Sequence, residues 1–312
     1  KNRRPETGAF ILSRRLNDRR NDNRKEEMQL GAAAQVKSET IEDVVLRHSK
    51  RGMTVLRSYM SRDYCRQAAR RILELEKGTI LLTTGFYVAG HAETDGPLGT
   101  VVLAKALEKQ GFYPVIITDE FCRGFFEAAD LEVCYVDVED GAEKYEALLE
   151  KFAPTALISI ERCGRNVKND YANMRGVSIK EYTARTDWLF IQARKQGIPT
   201  FGVGDGGNEI GMGNLKEVIS GKLELVPCKV KVDTLVIATV SNWGAYAIAA
   251  YIQKMTGTKV LPGFSEIKEY LSLIVNMGSV DGVTKEQTLS VDGFSLDVEK
   301  EILDGLKTLA AV

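Results

Sequence analysis

From Gly78 onward, short apolar runs alternate with segments of helical period, and this alternation limits the fold more than any other feature. Strands are expected over residues 79–84, 113–118, 132–138, 155–160, 200–203 and 234–240. Helices are expected between and after them, over 97–110, 120–129, 142–152, 178–196, 209–219 and 243–255. Pro97 at a first helical position, Gly111 after a helix end, and the Ser178-x-x-Glu181 capping box mark several of these boundaries. Strands alternating with helices of this length make βαβ units, hence a mostly parallel sheet covered on both faces. The expected class is α/β: a Rossmann-like sheet of about six strands, with an extra N-terminal helical arm and a C-terminal helical tail. The arm or linker is placed at residues 1–37 and the α/β domain at 38–312. Helical patterns over 40–48, 61–76, 266–275 and 297–309 pack against the sheet in this scheme.

Composition removes several classes of function. With 44% hydrophobic and 27% charged residues, the 312-residue chain reads as an ordinary globular protein. A formal charge of −1 gives no pull toward nucleic acid, and no apolar run approaches the length of a membrane span. The five cysteines are scattered, without a C-x-x-C pair, as for free thiols in a reducing compartment. Two histidines argue against a His-rich zinc site and against a Ser-His-Asp triad. Acids interrupt the arginines of residues 1–27, unlike a mitochondrial targeting peptide. The expected partners are a small anionic molecule and further copies of the chain, with neither nucleic acid nor membrane. The expected compartment is cytoplasmic, or mitochondrial if the chain is part of a longer eukaryotic protein.

The densest chemistry lies between Gly202 and Asn214, where six glycines surround Asp205, Asn208 and Glu209. The stretch lacks the Gly-Lys-Ser/Thr ending of a phosphate loop, and its two acids would repel a pyrophosphate. Two carboxylates and an amide within five residues suit a hard cation that prefers oxygen; the alternative is a turn whose Asp205 and Asn208 only cap the next helix. Other strand ends carry Thr84, then Glu93 and Asp95, then Glu161 with Arg162 and Arg165, then Arg175, and finally Ser241 and Asn242. Parallel strands bring these loops to one edge, where so many acids would repel one another unless a cation bound among them. The arginines suit a carboxylate, because a guanidinium forks onto two oxygens; the alternative is a structural network with Glu161 and Asp170.

Taken in order, Thr84-Gly-Phe86, Glu93-Thr-Asp-Gly-Pro97, Glu161-Arg-x-Gly-Arg165, Tyr171-x-Asn-Met-Arg-Gly176, Gly204-Asp-Gly-Gly-Asn-Glu-Ile-Gly-Met-Gly213 and Ser241-Asn-Trp-Gly244 resemble the carboxy-terminal domain of the D-glutamate cyclase family, in its stand-alone prokaryotic form. Cys163 stands where the family pattern has proline, so the turn there is expected to differ. The resemblance implies a lyase that closes D-glutamate to 5-oxo-D-proline with a divalent metal, Mn2+ or Mg2+, for which Ca2+ could substitute. For that chemistry the residues themselves offer Glu93, Asp95, Asp205, Asn208 and Glu209 as the expected metal ligands. Glu161, Asp205 and Glu209 are the expected catalytic groups, with Glu161 as the base. Thr84, Arg162, Arg165, Arg175, Ser241 and Asn242 are expected to touch the substrate, Arg165 foremost because Gly164 frees its backbone. Two rivals remain open: a metal-dependent hydrolase of a phosphorylated small molecule, and a nucleotide- or metal-binding module without catalysis.

Overall fold

The structure is a computed structural model that describes residues 39–311, so the expected arm at 1–37 lies outside the described residues. Six parallel strands form one sheet: β1 (Thr79–Thr83), β2 (Tyr113–Thr118), β3 (Glu132–Tyr135), β4 (Ala156–Ile160), β5 (Thr200–Gly204) and β6 (Thr234–Ile237). Their spatial order is β3-β2-β1-β4-β5-β6. This is the doubly wound order of dinucleotide-binding folds, in which the chain reverses direction between β1 and β4 and leaves a crevice at the carboxyl ends. The strands are near-continuous apolar runs such as Ile80-Leu81-Leu82 and Val115-Ile116-Ile117, all fully buried, because both faces of the sheet are covered.

Among the described residues ten α-helices surround the sheet: α1 (Ile41–Val44), α2 (Met53–Arg57), α3 (Tyr64–Leu73), α4 (Pro97–Lys109), α5 (Ala142–Phe152), α6 (Asp187–Lys195), α7 (Lys216–Lys222), α8 (Ser241–Thr256), α9 (Phe264–Asn276) and α10 (Leu296–Leu309). Helices α3, α4 and α8 pack together as one layer and α5 and α6 as another. Apolar and small residues run all round α8, and most of it is buried, as a central helix requires. Gly99 of α4 allows the approach: a Cβ there would stand 2.8 Å from the Asn242 Cα and 2.9 Å from the Ala245 Cβ.

Three expected helices take other forms. Residues 120–129 make two short 3-10 turns, Glu120–Cys122 and Glu127–Ala129, because Gly124 between them sits at φ +88°. The pattern over 209–219 coils only from Gly213. Before that the chain is drawn along 228–231, where the Gly211 and Gly213 amides both donate to the Val230 carbonyl. The pattern over 178–196 yields a 3-10 turn at Lys180–Tyr182 and then α6. Between them the Ala184 carbonyl and the Thr186 hydroxyl accept from the buried Arg162 guanidinium, which holds the backbone open. The Ser178 hydroxyl donates to Asp170 instead of capping a helix. All five cysteines are free. Among the described residues, no helix is long and apolar enough to cross a membrane.

Candidate functional site

Strands β4 and β5 are adjacent and in register, Ile160 opposite Val203. The first residues past their carboxyl ends, Glu161 and Asp205, therefore emerge side by side. Glu161 adopts φ +44°, a left-handed conformation that non-glycine residues avoid and that recurs where a side chain is held for function. Asp95 reaches the same point from the loop before α4. One carboxylate oxygen from each of Asp95, Glu161 and Asp205 lies within 4.8 Å of the others, and all three residues are buried.

Two helix N-termini hold this group. The Asp95 carboxylate accepts from the Ser241 amide at 2.9 Å and the Asn242 amide at 2.8 Å, capping α8 across 146 and 147 residues of sequence. In return the Asn242 side-chain oxygen accepts from the Gly96 amide at 2.9 Å and the Gly99 amide at 2.7 Å, capping α4. Each helix thus has its unsatisfied amides closed by a side chain from the start of the other. The Ser241 hydroxyl donates to Glu161 at 2.5 Å. Gly96, at φ +97°, has room for no side chain, since a Cβ would stand 2.6 Å from the Thr84 hydroxyl.

The electrostatics are those of acids gathered in excess. Burial, and then the charges of Glu209, Asp95 and Glu93, push the Glu161 carboxyl well above the ordinary range. Burial and the Asp292 charge raise Asp95 to about 7. Burial raises Asp205 too, although Arg51 opposes it. Burial, then Asp292 and Asp95, raise Glu93. Among the described residues Arg51 answers them, pairing with Asp205 at 2.7 Å and with Asp292 at 2.5 Å. The second Asp205 oxygen and the Asn208 side-chain oxygen are buried without a partner. A buried acceptor without a donor is costly, and an all-oxygen set with two such orphans fits a hard divalent cation.

Above the acids opens a cavity of about 430 Å³. Its deeper lining includes Arg51, Glu93, Glu161, Asn208 and Asp292, and Arg175 and Lys285 stand exposed on its lining as well. Phe86, Tyr87, Val88 and Ile179 form an apolar wall that belongs to a small cluster separate from the main core. The ring of Tyr87 stacks on that of Tyr182, with centroids 4.3 Å apart.

The structure separates residues that the sequence reading had pooled. Glu209 is not one of the three acids whose oxygens converge, although its charge bears on Glu161. Its two oxygens accept from the Gly206 and Gly207 amides, each at 2.7 Å, so it shapes its own loop. Arg162 is enclosed: its nitrogens meet Asp119, the Gly85 and Ala184 carbonyls and the Thr186 hydroxyl, leaving none for a ligand. Arg165 pairs with Asp187 at 3.3 Å and lies over the Trp188 ring. It lines a different cavity, with Lys180 and Arg185, so freedom at Gly164 turned it away from the acids. Of the three expected arginines, only Arg175 lines the acidic cavity. Asn242 is committed to its helix cap, and its amide nitrogen donates to the Thr94 carbonyl. Thr84 is buried with its hydroxyl unpartnered. Two site residues escaped the sequence reading. They are Arg51, just before α2, and Asp292, in the turn before α10. Arg51 ends the polar run Arg47-His48-Ser49-Lys50-Arg51 and Asp292 precedes a glycine, and neither setting distinguishes a site residue.

Over residues 41–307 the chain matches the model of a family described as D-glutamate cyclase-like, C-terminal. It is 31% identical to the human "D-glutamate cyclase, mitochondrial", an alignment covering 69% of this chain and 43% of that protein. The chain thus spans less than half the length of this relative. Among solved structures, the Bordetella bronchiseptica enzyme WbmG in complex with NAD and UDP aligns at TM-score 0.29 with 16% identity, over 66% of this chain and 61% of that one. The Thermus thermophilus UDP-glucose 4-epimerase complex with NAD aligns at TM-score 0.28 with 14% identity, over 57% and 50%. Neither likeness carries an argument about function at that level. The family match extends over most of the chain, and within it lie the loops that carry Asp95, Glu161 and Asp205: this chain belongs to the D-glutamate cyclase-like C-terminal domain family.

Proposed function

We propose that the chain is a metal-dependent lyase that closes D-glutamate to 5-oxo-D-proline with loss of water. The observation that carries this reading is the buried group Asp95, Glu161 and Asp205 beneath a cavity sized for a small dicarboxylate, in a chain of this family. Asp95, Glu161 and Asp205 would hold the metal, Mn2+ or Mg2+, with the orphaned Asn208 oxygen as a further donor. When bound, the metal supplies a Lewis acid for the γ-carboxylate, a poor electrophile in its anionic form.

The proton work falls to Glu93, so Glu161 and Glu93 exchange the roles expected from sequence. Glu161 lies within the acidic triad, whereas Glu93 lies on the cavity lining outside it. Burial and the neighbouring Asp292 and Asp95 charges raise its carboxyl, which makes it a stronger proton acceptor than an ordinary carboxylate. Glu93 accepts a proton from the substrate ammonium, and the freed amine attacks the γ-carbon. The C–N bond forms, a C–O bond breaks, and the departing oxygen leaves as water with both protons the nitrogen has lost, one of them returned by Glu93. Ser241 orients Glu161 through its hydroxyl. Arg175 is placed to take the α-carboxylate at the mouth. The apolar wall of Phe86 and Ile179 limits water around the reacting atoms and holds the folded substrate near its attack geometry.

Incubation with D-glutamate and Mn2+ should yield 5-oxoproline, and chelation should stop it. Absence of product with both Mn2+ and Mg2+ would reject the reading. A melting temperature raised by ATP or NAD, and unmoved by metal with D-glutamate, would favour the binding-module rival.

A further inference from the structure

Of the three cations lining the acidic cavity, Arg175 and Lys285 are exposed, whereas Arg51 reaches inward. One of its nitrogens contacts the Asp205 carboxylate at 2.7 Å and another contacts Asp292 at 2.5 Å. Asp205 belongs to the group able to hold a metal, so the guanidinium and a metal would share one carboxylate. Asp292 lies outside that group and lines the cavity beside Gly282. Arg51 precedes Gly52, whose φ of +81° turns the chain sharply into α2. Its side chain remains 23% exposed and lines the cavity, so it borders the space a ligand would occupy.

We infer that Arg51 is an exchangeable cation: it neutralises Asp205 and Asp292 in the metal-free chain, and when a divalent metal takes Asp205 it turns to a carboxylate of the substrate. This rests on the cyclase reading for the identity of the substrate, though not for the exchange with metal. The physical reason is charge balance. A metal and a guanidinium on the same carboxylate repel each other, and a ligand that binds one arrangement better shifts the population toward it. A planar fork released beside the metal then meets the next available pair of oxygens, which an incoming dicarboxylate provides. The order of binding follows, with metal first and substrate second.

The test is nuclear magnetic resonance of arginine-labelled protein, with the Arg51 guanidinium assigned by its loss in Arg51→Lys. Titration with Mg2+ alone should move this signal from a protected, ion-paired state to one exchanging with water. D-glutamate added to the Mg2+-saturated protein should restore protection, and D-glutamate without metal should leave the signal unchanged. In kinetics, Arg51→Met should raise KM for D-glutamate by about tenfold or more, the scale of a charge-assisted hydrogen bond. An Arg51 signal unmoved at saturating Mg2+ overturns the exchange. A signal that moves with Mg2+ and ignores D-glutamate, in protein that still makes 5-oxoproline, overturns the substrate half. Protein that makes no 5-oxoproline and still shows the Mg2+ response upholds the exchange and removes the cyclase reading instead.

Discussion

Two sets of buried charge lie at the same edge of the sheet and are built on opposite principles. Around Arg162 every nitrogen has a protein acceptor, and its charge is answered by Asp119 at 2.6 Å. Around Asp205 five carboxylates, those of Glu93, Asp95, Glu161, Asp205 and Asp292, face one guanidinium, and oxygens of Asp205 and Asn208 go without donors. The first set is closed and binds β1, β2, β4 and the turn before α6 into one piece. The second is open, with more carboxylates than cations to answer them. Buried charge therefore marks function here only where its partners fall short.

The largest effect should come from opening the closed set. Arg162→Met leaves Asp119 buried without its cation and frees the carbonyls that hold the turn at 184–186. Urea unfolding should show a loss of about 3–5 kcal/mol, the scale of a broken buried pair. A loss below about 1 kcal/mol would erase the distinction between the two sets.

Next comes removal of a charge from the open set. Asp205→Asn relieves like-charge crowding, so the metal-free variant should melt at or above the temperature of the parent chain. Its stabilisation by metal should vanish, a loss of about 2.7 kcal/mol at a hundredfold excess over Kd. Calorimetry with Mn2+ measures this directly, and unchanged binding would move the metal elsewhere.

The arginines sharpen the same contrast. Arg175→Lys keeps the charge at the cavity mouth and loses the fork, and should weaken kcat/KM for D-glutamate by about 1–2 kcal/mol. Arg165→Lys, facing the other cavity, should leave kcat/KM at the parent value. Equal losses in both variants would mean that the two cavities communicate.

The distinction was only partly legible in sequence. The strands could be read because they are apolar runs bounded by glycine and proline, and Tyr113–Thr118 and Ala142–Phe152 fall where the pattern puts them. That Asp95, Glu161 and Asp205 share one edge follows from parallel topology. Which arginine faces them does not follow, because Arg162, Arg165 and Arg175 share one long loop and its path depends on distant partners such as Asp119 and Asp187. Glu209 looked like a ligand because it stands four residues from Asp205, and that nearness is what lets it accept from the intervening amides. Arg51 and Asp292 carry no local motif, and only the folded chain brings them together.

The smallest effect concerns Glu299, a case between the two sets. It is fully enclosed, with the Trp243 indole donating to it at 2.6 Å. Burial raises its carboxyl above the ordinary value of 4.5, against the influence of the Trp243 bond. A carboxyl raised in the folded state binds its proton more tightly there than in the unfolded chain. Its contribution to stability is therefore present below the ordinary value and lost as pH climbs through the raised one. Thermal melts across that range should slope downward with pH, and Glu299→Gln should flatten part of the slope. An unaltered slope would assign it wholly to the open set.

The reciprocal caps between Asp95 and Asn242 have a consequence in time. The two residues are 147 positions apart, so the first and last helices flanking the acidic group must both be docked before either terminus is closed. Contacts of such long sequence separation form late, because a large loop must be ordered first. Asp95 is therefore fixed beside Glu161 and Asp205 only once α8 has docked. In refolding from urea, recovery of metal binding should therefore lag behind recovery of helical signal, and the lag would time the docking of α8 against α4.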